Sequence, residues 1–286
     1  LPQWNCACVN CDAARRGDIR SSTQASLAFS ADGANWFLVN ASPDCRQQIV
    51  QTPQLQSHGP ALRQSAIAGV FLTNGEVDAI AGLLSLREGS PFSVYAHPQV
   101  LVVLKSDAIF NVLGEPVRRI ALAPDEAFSP SNPDGSAAAL TIEPFLVPGK
   151  EALYLEGLDR REHATLGLTI RYGGARVHVV TACALVTDDL KQRLDGADVL
   201  FFDGTLWRDD EMIAAGLSQK TGRRMGHVAM SGPDGAIARL ADIKAGRRIF
   251  IHINNSNPVW QPDSPERQDA ERAGWEIAFD GMEVVL

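Results

Sequence analysis

Three apolar runs in this chain stop in the same manner. "AIAGVFLT" (Ala66 to Thr73) gives way to Asn74, Gly75, Glu76 and Asp78; "DVLFFD" closes on Asp203 before Gly204 and Thr205; "RRIFIHI" carries His252 into a loop with Asn254, Asn255 and Asn257. Short apolar runs bounded by turn-forming residues are the pattern of strands buried on both faces. Such strands need covering helices, so the chain is restricted to α/β folds. In those folds, ligands gather where loops leave the strand ends. The acids, asparagines and histidine that terminate these runs are therefore the first places to look for chemistry.

The remaining punctuation agrees. "SLAFSADGANWFLVNAS" (Ser26 to Ser42) reads as two strands around a Gly-containing turn, and "LGLTIRYGGARVHVVTA" (Leu166 to Ala182) as a hairpin turning at Gly173-Gly174. "EVDAIAGLLSLREG" has helical periodicity through Val77, Ile80, Leu83 and Leu84 and stops at Gly89. "FSVYAHP" predicts a strand. "TDDLKQRLDGA" predicts a helix capped by Thr187 with acids in its first turn. Helices at "DDEMIAAG", "GAIARLADI" and "SPERQDAERAG" then alternate with strands, the last spanning "EIAFDGMEVVL". Between Val100 and Pro148 the pattern is poor, and "APDEAFSPSNPDGSAAA" predicts an irregular loop. No G-x-G-x-x-G follows a strand, and no P-loop or G-x-S-x-G is present, which removes the usual anchors of nucleotide binding and serine hydrolysis.

With 286 residues, the chain can bury a substantial core without staples. A net charge of −8 argues against nucleic acid as the main partner. Local basic clusters remain at "GRRMGH", with Arg223 and Arg224, and at "GRRIF". No apolar run reaches the roughly 20 residues that span a bilayer. Three of five cysteines, Cys6, Cys8 and Cys11, form C-x-C-x-x-C. Thiolates so closely spaced converge on a cation more readily than they bridge one another. The expectation is a structural Zn²⁺ in a cytoplasmic protein, its fourth ligand drawn from His252, Asn255 or Asp12; the alternative is three free thiols in an N-terminal tail.

Taken together, these motifs resemble the metallo-β-lactamase superfamily, in which an apolar strand ends in T-H-x-H-x-D-H and a late strand ends in a metal histidine. The matching positions here are Thr73 to Ala79 and "IHIN", which carries His252. His227 falls where some superfamily hydrolases keep a proton-donating histidine, and Cys183 where a bridging Asp is common. "PQWNCACVNC", "NASPD", "LTNGEVD", "GLLSLREG", "FDGT", "TGRRMGH" and "HINNSNP" resemble, along essentially the whole chain, the family of pyrroloquinoline quinone (PQQ) biosynthesis protein B. Members of that family begin with a short strand and Gly-rich turn ahead of Pro-Gln-Trp-Asn, so an N-terminal strand is expected upstream of Leu1.

The resemblance implies a four-layer αββα sandwich formed by a single domain over residues 1–286. It also implies a role in making PQQ from a peptide containing Glu and Tyr, as an iron-dependent hydroxylase of the tyrosine ring. Glu76, Asp78 and His252 would hold Fe²⁺, with Asp203 as a partner behind the ligands and His227 managing protons. Arg223, Arg224, Asn74 and Asn254 would contact the substrate. The strand-end motif is stripped, however: Asn74, Glu76 and Ala79 stand where superfamily hydrolases place histidines. That favours, as the alternative, a non-catalytic carrier of PQQ or a precursor, whose carboxylates would pair with the two arginines. A metallohydrolase is the third reading, resting on fold analogy. A homodimer is the one assembly beyond the monomer considered.

Overall fold

The computed structural model describes residues 1–57, 61–155 and 164–286. His58 and His163 lie outside them. In chain order, the elements begin with helix α1 (Val9–Arg16), strands β1 (Leu27–Phe29) and β2 (Trp36–Val39), and helix α2 (Cys45–Gln51). Next come β3 (Ile67–Leu72), α3 (Val77–Ile80), β4 (Ser93–Ala96), α4 (Pro98–Ser106), β5 (Arg118–Ala121), β6 (Thr141–Leu146) and β7 (Leu166–Tyr172). The chain continues with β8 (Ala175–Val180), α5 (Asp188–Leu194), β9 (Ala197–Asp203), α6 (Glu211–Ala214), α7 (Ala236–Arg239), β10 (Ala245–Ile251), α8 (Pro265–Arg272) and β11 (Trp275–Ile277). One sheet has the order β1-β2-β3-β4-β5 and the other β11-β10-β9-β8-β7-β6.

These elements cluster into two compact units. One comprises Leu1–Thr23, Val147–Lys150 and Ala175–Leu286; the other comprises Gln24–Leu146 and Glu151–Gly174. In the second unit, β2, β3, β4 and β5 run parallel and β1 adds an antiparallel edge. All six residues of β3 are buried, as its unbroken apolar run requires. Phe71 stacks on Tyr95 at 4.5 Å between ring centroids, with Phe37 and Phe128 around them. In the first unit, β8, β9, β10 and β11 are mutually parallel. Trp275 stacks on Phe250 at 3.9 Å. The hairpin turn is made by Gly173 and Gly174 at positive φ, and Thr187 caps α5 by accepting from the Leu190 N–H.

Three elements depart from the sequence reading. The helix expected after Glu76 is one α-turn, α3, followed by 3₁₀ turns over Ala81–Leu86. The chain near Ala41 interrupts it: the Ala79 carbonyl accepts from the Ala41 N–H and the Gly82 N–H donates to the Ala41 carbonyl, both at 2.8 Å. Backbone partners outside the helix thus replace the i→i−4 ladder. A Cβ at Gly82 would lie 2.0 Å from the Ser42 carbonyl oxygen, so only glycine admits this approach. The C-terminal strand is confined to β11, because Asp280 turns out to receive the Thr23 N–H and the Ser22 hydroxyl. Finally, the N-terminal segment, for which the sequence pattern gave no helix, contains α1. Gly17 ends that helix in the left-handed conformation.

Candidate functional site: two side-chain groups on one loop

The first unit gathers two sets of metal-ligating side chains, Cys6–Cys8–Cys11 and Asp203–His227–His252. Within each set one donor atom per residue lies within 4.8 Å of the others.

The cysteine set is built by the start of α1. Cys8 takes the N-cap position and Cys11, fully buried, lies in the first turn, so the helix turns both sulfurs to one side. Backbone N–H groups of Cys8 and Gln3 donate to the sulfurs of Cys6 and Cys11 at 3.4 and 3.2 Å. Burial would raise the Cys8 thiol, but the Cys11 backbone N–H, the neighbouring sulfurs and Asn255 hold it below its ordinary value. Burial, outweighing the Gln3 N–H, pushes Cys11 the other way. The Asn255 side-chain amide sits against all three sulfurs, at 3.4, 3.6 and 3.3 Å from Cys6, Cys8 and Cys11. Rotating the amide by half a turn exchanges its nitrogen for its oxygen at the same place. Four-coordinate zinc with Zn–S near 2.3 Å needs sulfurs about 3.8 Å apart. With all three sulfurs within 4.8 Å of one another, the set is wider than that by at most about an ångström. Of the fourth-ligand candidates, Asn255 reaches the sulfurs, His252 is in the other set, and Asp12 pairs with Arg15 on the surface.

The second set follows from strand register. In the parallel pair β9–β10, Ile251 lies opposite Asp203, so Asp203 and His252 leave the sheet at one edge. Gly204 closes the approach; a Cβ there would meet the Phe250 Cβ at 2.9 Å. His252 has φ of 56°, a left-handed conformation that costs a non-glycine residue about 1–3 kcal/mol and is found at functional sites. His227 arrives from the 3₁₀ turn Arg223–Met225, with its N–H bonded to the Gly222 carbonyl at 2.9 Å.

Asp203 is completely buried. Its Oδ2 accepts from the Cys183 N–H at 2.9 Å and faces His227 Nδ1 at 2.8 Å; its Oδ1 accepts from the Thr205 N–H at 3.1 Å and the Thr205 hydroxyl at 2.6 Å. These contacts use the carboxylate's four lone-pair directions. A carboxylate can only accept, so His227 carries its proton on Nδ1 and presents Nε2 as the basic nitrogen. The Thr205 hydroxyl also lies 2.8 Å from His252 Nδ1. Its one proton is shared between Asp203 Oδ1 at 2.6 Å and the His252 carbonyl at 2.9 Å, so it accepts from His252 Nδ1–H and leaves Nε2 of that ring as the coordinating nitrogen too. The two imidazoles stack at 5.2 Å with 20° between their planes. The arrangement can hold a cation at imidazole nitrogens and can move a proton at a ring whose tautomer a buried carboxylate fixes.

Other candidates fall elsewhere. Glu76 and Asp78, both half-buried, belong to the second unit and to neither set. Asn74 accepts the Glu76 N–H at 2.9 Å in a local turn, and the Asn254 amide donates to Ser256 at 2.6 Å. Arg223 and Arg224 are exposed, and neither guanidinium meets a carboxylate among the described residues. Cys183 is fully buried and burial raises its thiol strongly, which makes it an inert structural thiol. Sequence reasoning missed Thr205, on which the second set converges, and the buried amide Asn10. "FDGT" carried the only signal for Thr205, which read as part of a turn.

Fold and site together define a metallo-β-lactamase-type protein with two groups of side chains that could each hold a metal ion. A model of the beta-lactamase superfamily domain matches residues 35–253. Coenzyme PQQ synthesis protein B of Rhodopseudomonas palustris is 59% identical, covering 100% of this chain and 96% of that protein. Its counterpart in Bradyrhizobium diazoefficiens is 57% identical over the same shares. The crystal structure of Zn²⁺-bound PqqB from Methylobacterium extorquens superposes with a TM-score of 0.94 at 47% identity, covering 100% of this chain and 96% of that one. The chain belongs to the coenzyme PQQ synthesis protein B family of the metallo-β-lactamase superfamily, and has the α/β sandwich fold expected of it. A diphosphatase of the PhnP family, at 20% identity and a TM-score of 0.68, shares the fold.

Proposed function

We propose that this chain acts in PQQ biosynthesis as an iron-dependent hydroxylase of the tyrosine ring in a Glu/Tyr peptide-derived precursor. The observation that carries the reading is the Asp203–His227–His252 set gathered on the Thr205 hydroxyl, in a chain 59% identical to a coenzyme PQQ synthesis protein B along its full length. A stiff, buried carboxylate–imidazole pair is how proteins fix a ring nitrogen for proton transfer. His252 Nε2 would hold ferrous iron. Non-haem iron with open positions takes imidazole ligands, and the bound ion would supply the electrons' route to oxygen. In the net change a ring C–H becomes C–OH. One atom of O₂ enters the ring and the other leaves as water, with two electrons and two protons taken from a reductant. His227, held by Asp203, moves a proton at Nε2. Arg223 and Arg224 pair with substrate carboxylates.

At the cysteines we propose structural zinc bound by Cys6, Cys8, Cys11 and the Asn255 side-chain oxygen, in line with the Zn²⁺-bound relative. The second reading, a carrier of PQQ, is favoured by Ala79, a buried methyl group where family members keep a histidine. Protein purified without oxygen, reloaded with ferrous iron and given a Glu/Tyr peptide with O₂ and a reductant distinguishes the two. A product heavier by one oxygen atom, lost in His252→Ala, supports the hydroxylase. No product, together with PQQ binding that Arg223→Ala weakens, would replace it with the carrier.

A further inference from the structure

We infer that the occupancy of the three-cysteine set governs how the Thr205-centred histidines are held, with Asn10 as the positioning residue between them; this rests on the reading that zinc occupies the cysteines. Asn10 lies between Cys8 and Cys11 at the start of α1 and is 4% exposed. Its Nδ2 donates to the carbonyls of Asn255 and Asn257 at 2.9 and 2.8 Å, while its Oδ1 accepts from Gln261 at 2.8 Å. Both protons and the oxygen of this buried amide are thus engaged, two of the three with the loop that follows His252.

The same loop reaches the second set from its other side. The buried Asn257 amide donates to the carbonyls of Gly204 and Thr205 at 3.0 and 3.3 Å, and the Asn254 N–H donates to the Thr205 carbonyl at 3.0 Å. Thr205 in turn meets Asp203, His227 and His252 through its hydroxyl. Hydrogen bonds no longer than 3.3 Å therefore connect the helix that carries Cys11 and is capped by Cys8 to the hydroxyl that orients both histidines.

Closing three sulfurs and Asn255 around a cation draws α1 and the loop together, because Asn10 and Asn255 must move with the ligands. The loop is also pinned through Ser256 to Glu211 at 2.6 Å and through the Trp260 indole to the Asn254 carbonyl at 2.9 Å. Movement at Asn255 is consequently passed on to Thr205 instead of being absorbed by a slack segment. Coupling between sites needs such a contiguous, two-position element, and here it is a loop of six residues, His252 to Asn257.

The test is histidine-ring ¹⁵N–¹H NMR on the full chain, zinc-loaded and after chelation, with Co²⁺ substitution reporting cysteine occupancy by its thiolate charge-transfer band. In the wild type, the His227 and His252 ring signals are expected to shift when zinc is loaded. In Asn10→Ala the thiolate band should persist while the ring signals no longer follow zinc; Asn10→Ser, which keeps one donor, should give an intermediate shift and serves if the alanine variant does not fold. Ring signals indifferent to zinc in the wild type, with the thiolate band present, would overturn the coupling alone. Absence of the thiolate band in the wild type would overturn the zinc reading and the inference with it.

Discussion

Thr205→Val is the most informative single change, because it keeps the shape of the side chain and removes only the hydroxyl on which three functional groups converge. That hydroxyl donates to the ionised Asp203 at 2.6 Å inside the protein. A hydrogen bond to a charged group contributes about 1.5–3 kcal/mol, and the valine methyl restores none of it. The same change removes the acceptor of His252 Nδ1–H at 2.8 Å. His252 is half-buried, so water can replace part of that bond, and roughly 1 kcal/mol is a fair further loss. The expected destabilisation is therefore about 2.5–4 kcal/mol. Thr205→Ser keeps the hydroxyl and removes one methyl group, which should cost about 1 kcal/mol. Urea denaturation of the three proteins gives the comparison, and histidine-ring NMR gives a second readout. The His252 ring should lose its fixed Nδ1–H tautomer in the valine variant and retain it in the serine variant. A valine variant no less stable than the serine variant, with both ring tautomers unchanged, would refute the central role assigned to the hydroxyl.

Gly82→Ala places a Cβ 2.0 Å from the Ser42 carbonyl oxygen, a backbone atom that cannot rotate away, so a loss of about 3 kcal/mol or more is expected in thermal or urea unfolding. For Glu211, burial raises the carboxyl above its ordinary value of 4.5 against the pull of Ser256 and the Trp207 N–H. The folded chain then holds this proton to higher pH than the unfolded chain, so stability from this group is fullest below 4.5 and falls as pH rises through the raised value. Glu211→Gln should remove that slope; parallel stability–pH curves for the two proteins would contradict it. Arg223→Ala combined with Arg224→Ala should weaken binding of PQQ, measured by calorimetry, by tenfold or more if each lost bidentate pair is worth about 1–2 kcal/mol. Unchanged affinity would remove the arginines from the binding surface.

Much of the fold was legible because its strands are continuous apolar runs between turn residues. β3, β9 and β10 stand where "AIAGVFLT", "DVLFFD" and "RRIFIHI" predict them, and Thr187 caps α5. The failures share a cause: tertiary contacts overrode local pattern. The periodicity after Glu76 could not reveal that Ala41 would claim the bonds of Ala79 and Gly82. "EIAFDGMEVVL" has strand composition, but only Trp275–Ile277 pairs. In the site, Asp203, His227 and His252 were each legible as residues at strand ends or in a glycine-flanked loop. Their convergence was not, since it depends on the register that sets Ile251 opposite Asp203. Thr205 and Asn10 carry no local signature, because an amide or hydroxyl becomes decisive only through partners remote in sequence.

The distance along the chain between the two halves of the cysteine site has a consequence for biogenesis. Asn10 meets carbonyls 245 and 247 positions further on. At ribosomal speeds of about 5–20 residues per second, the cysteines leave the exit tunnel roughly 12–50 s before the loop that completes their shell. During that interval three clustered thiols stand without Asn255 or its neighbours, open to oxidants and to whichever soft metal arrives first. The proposed zinc therefore meets its competitors first on the unfinished chain, and growth under copper excess or oxidative stress should lower the yield of zinc-loaded protein before any effect on the finished fold.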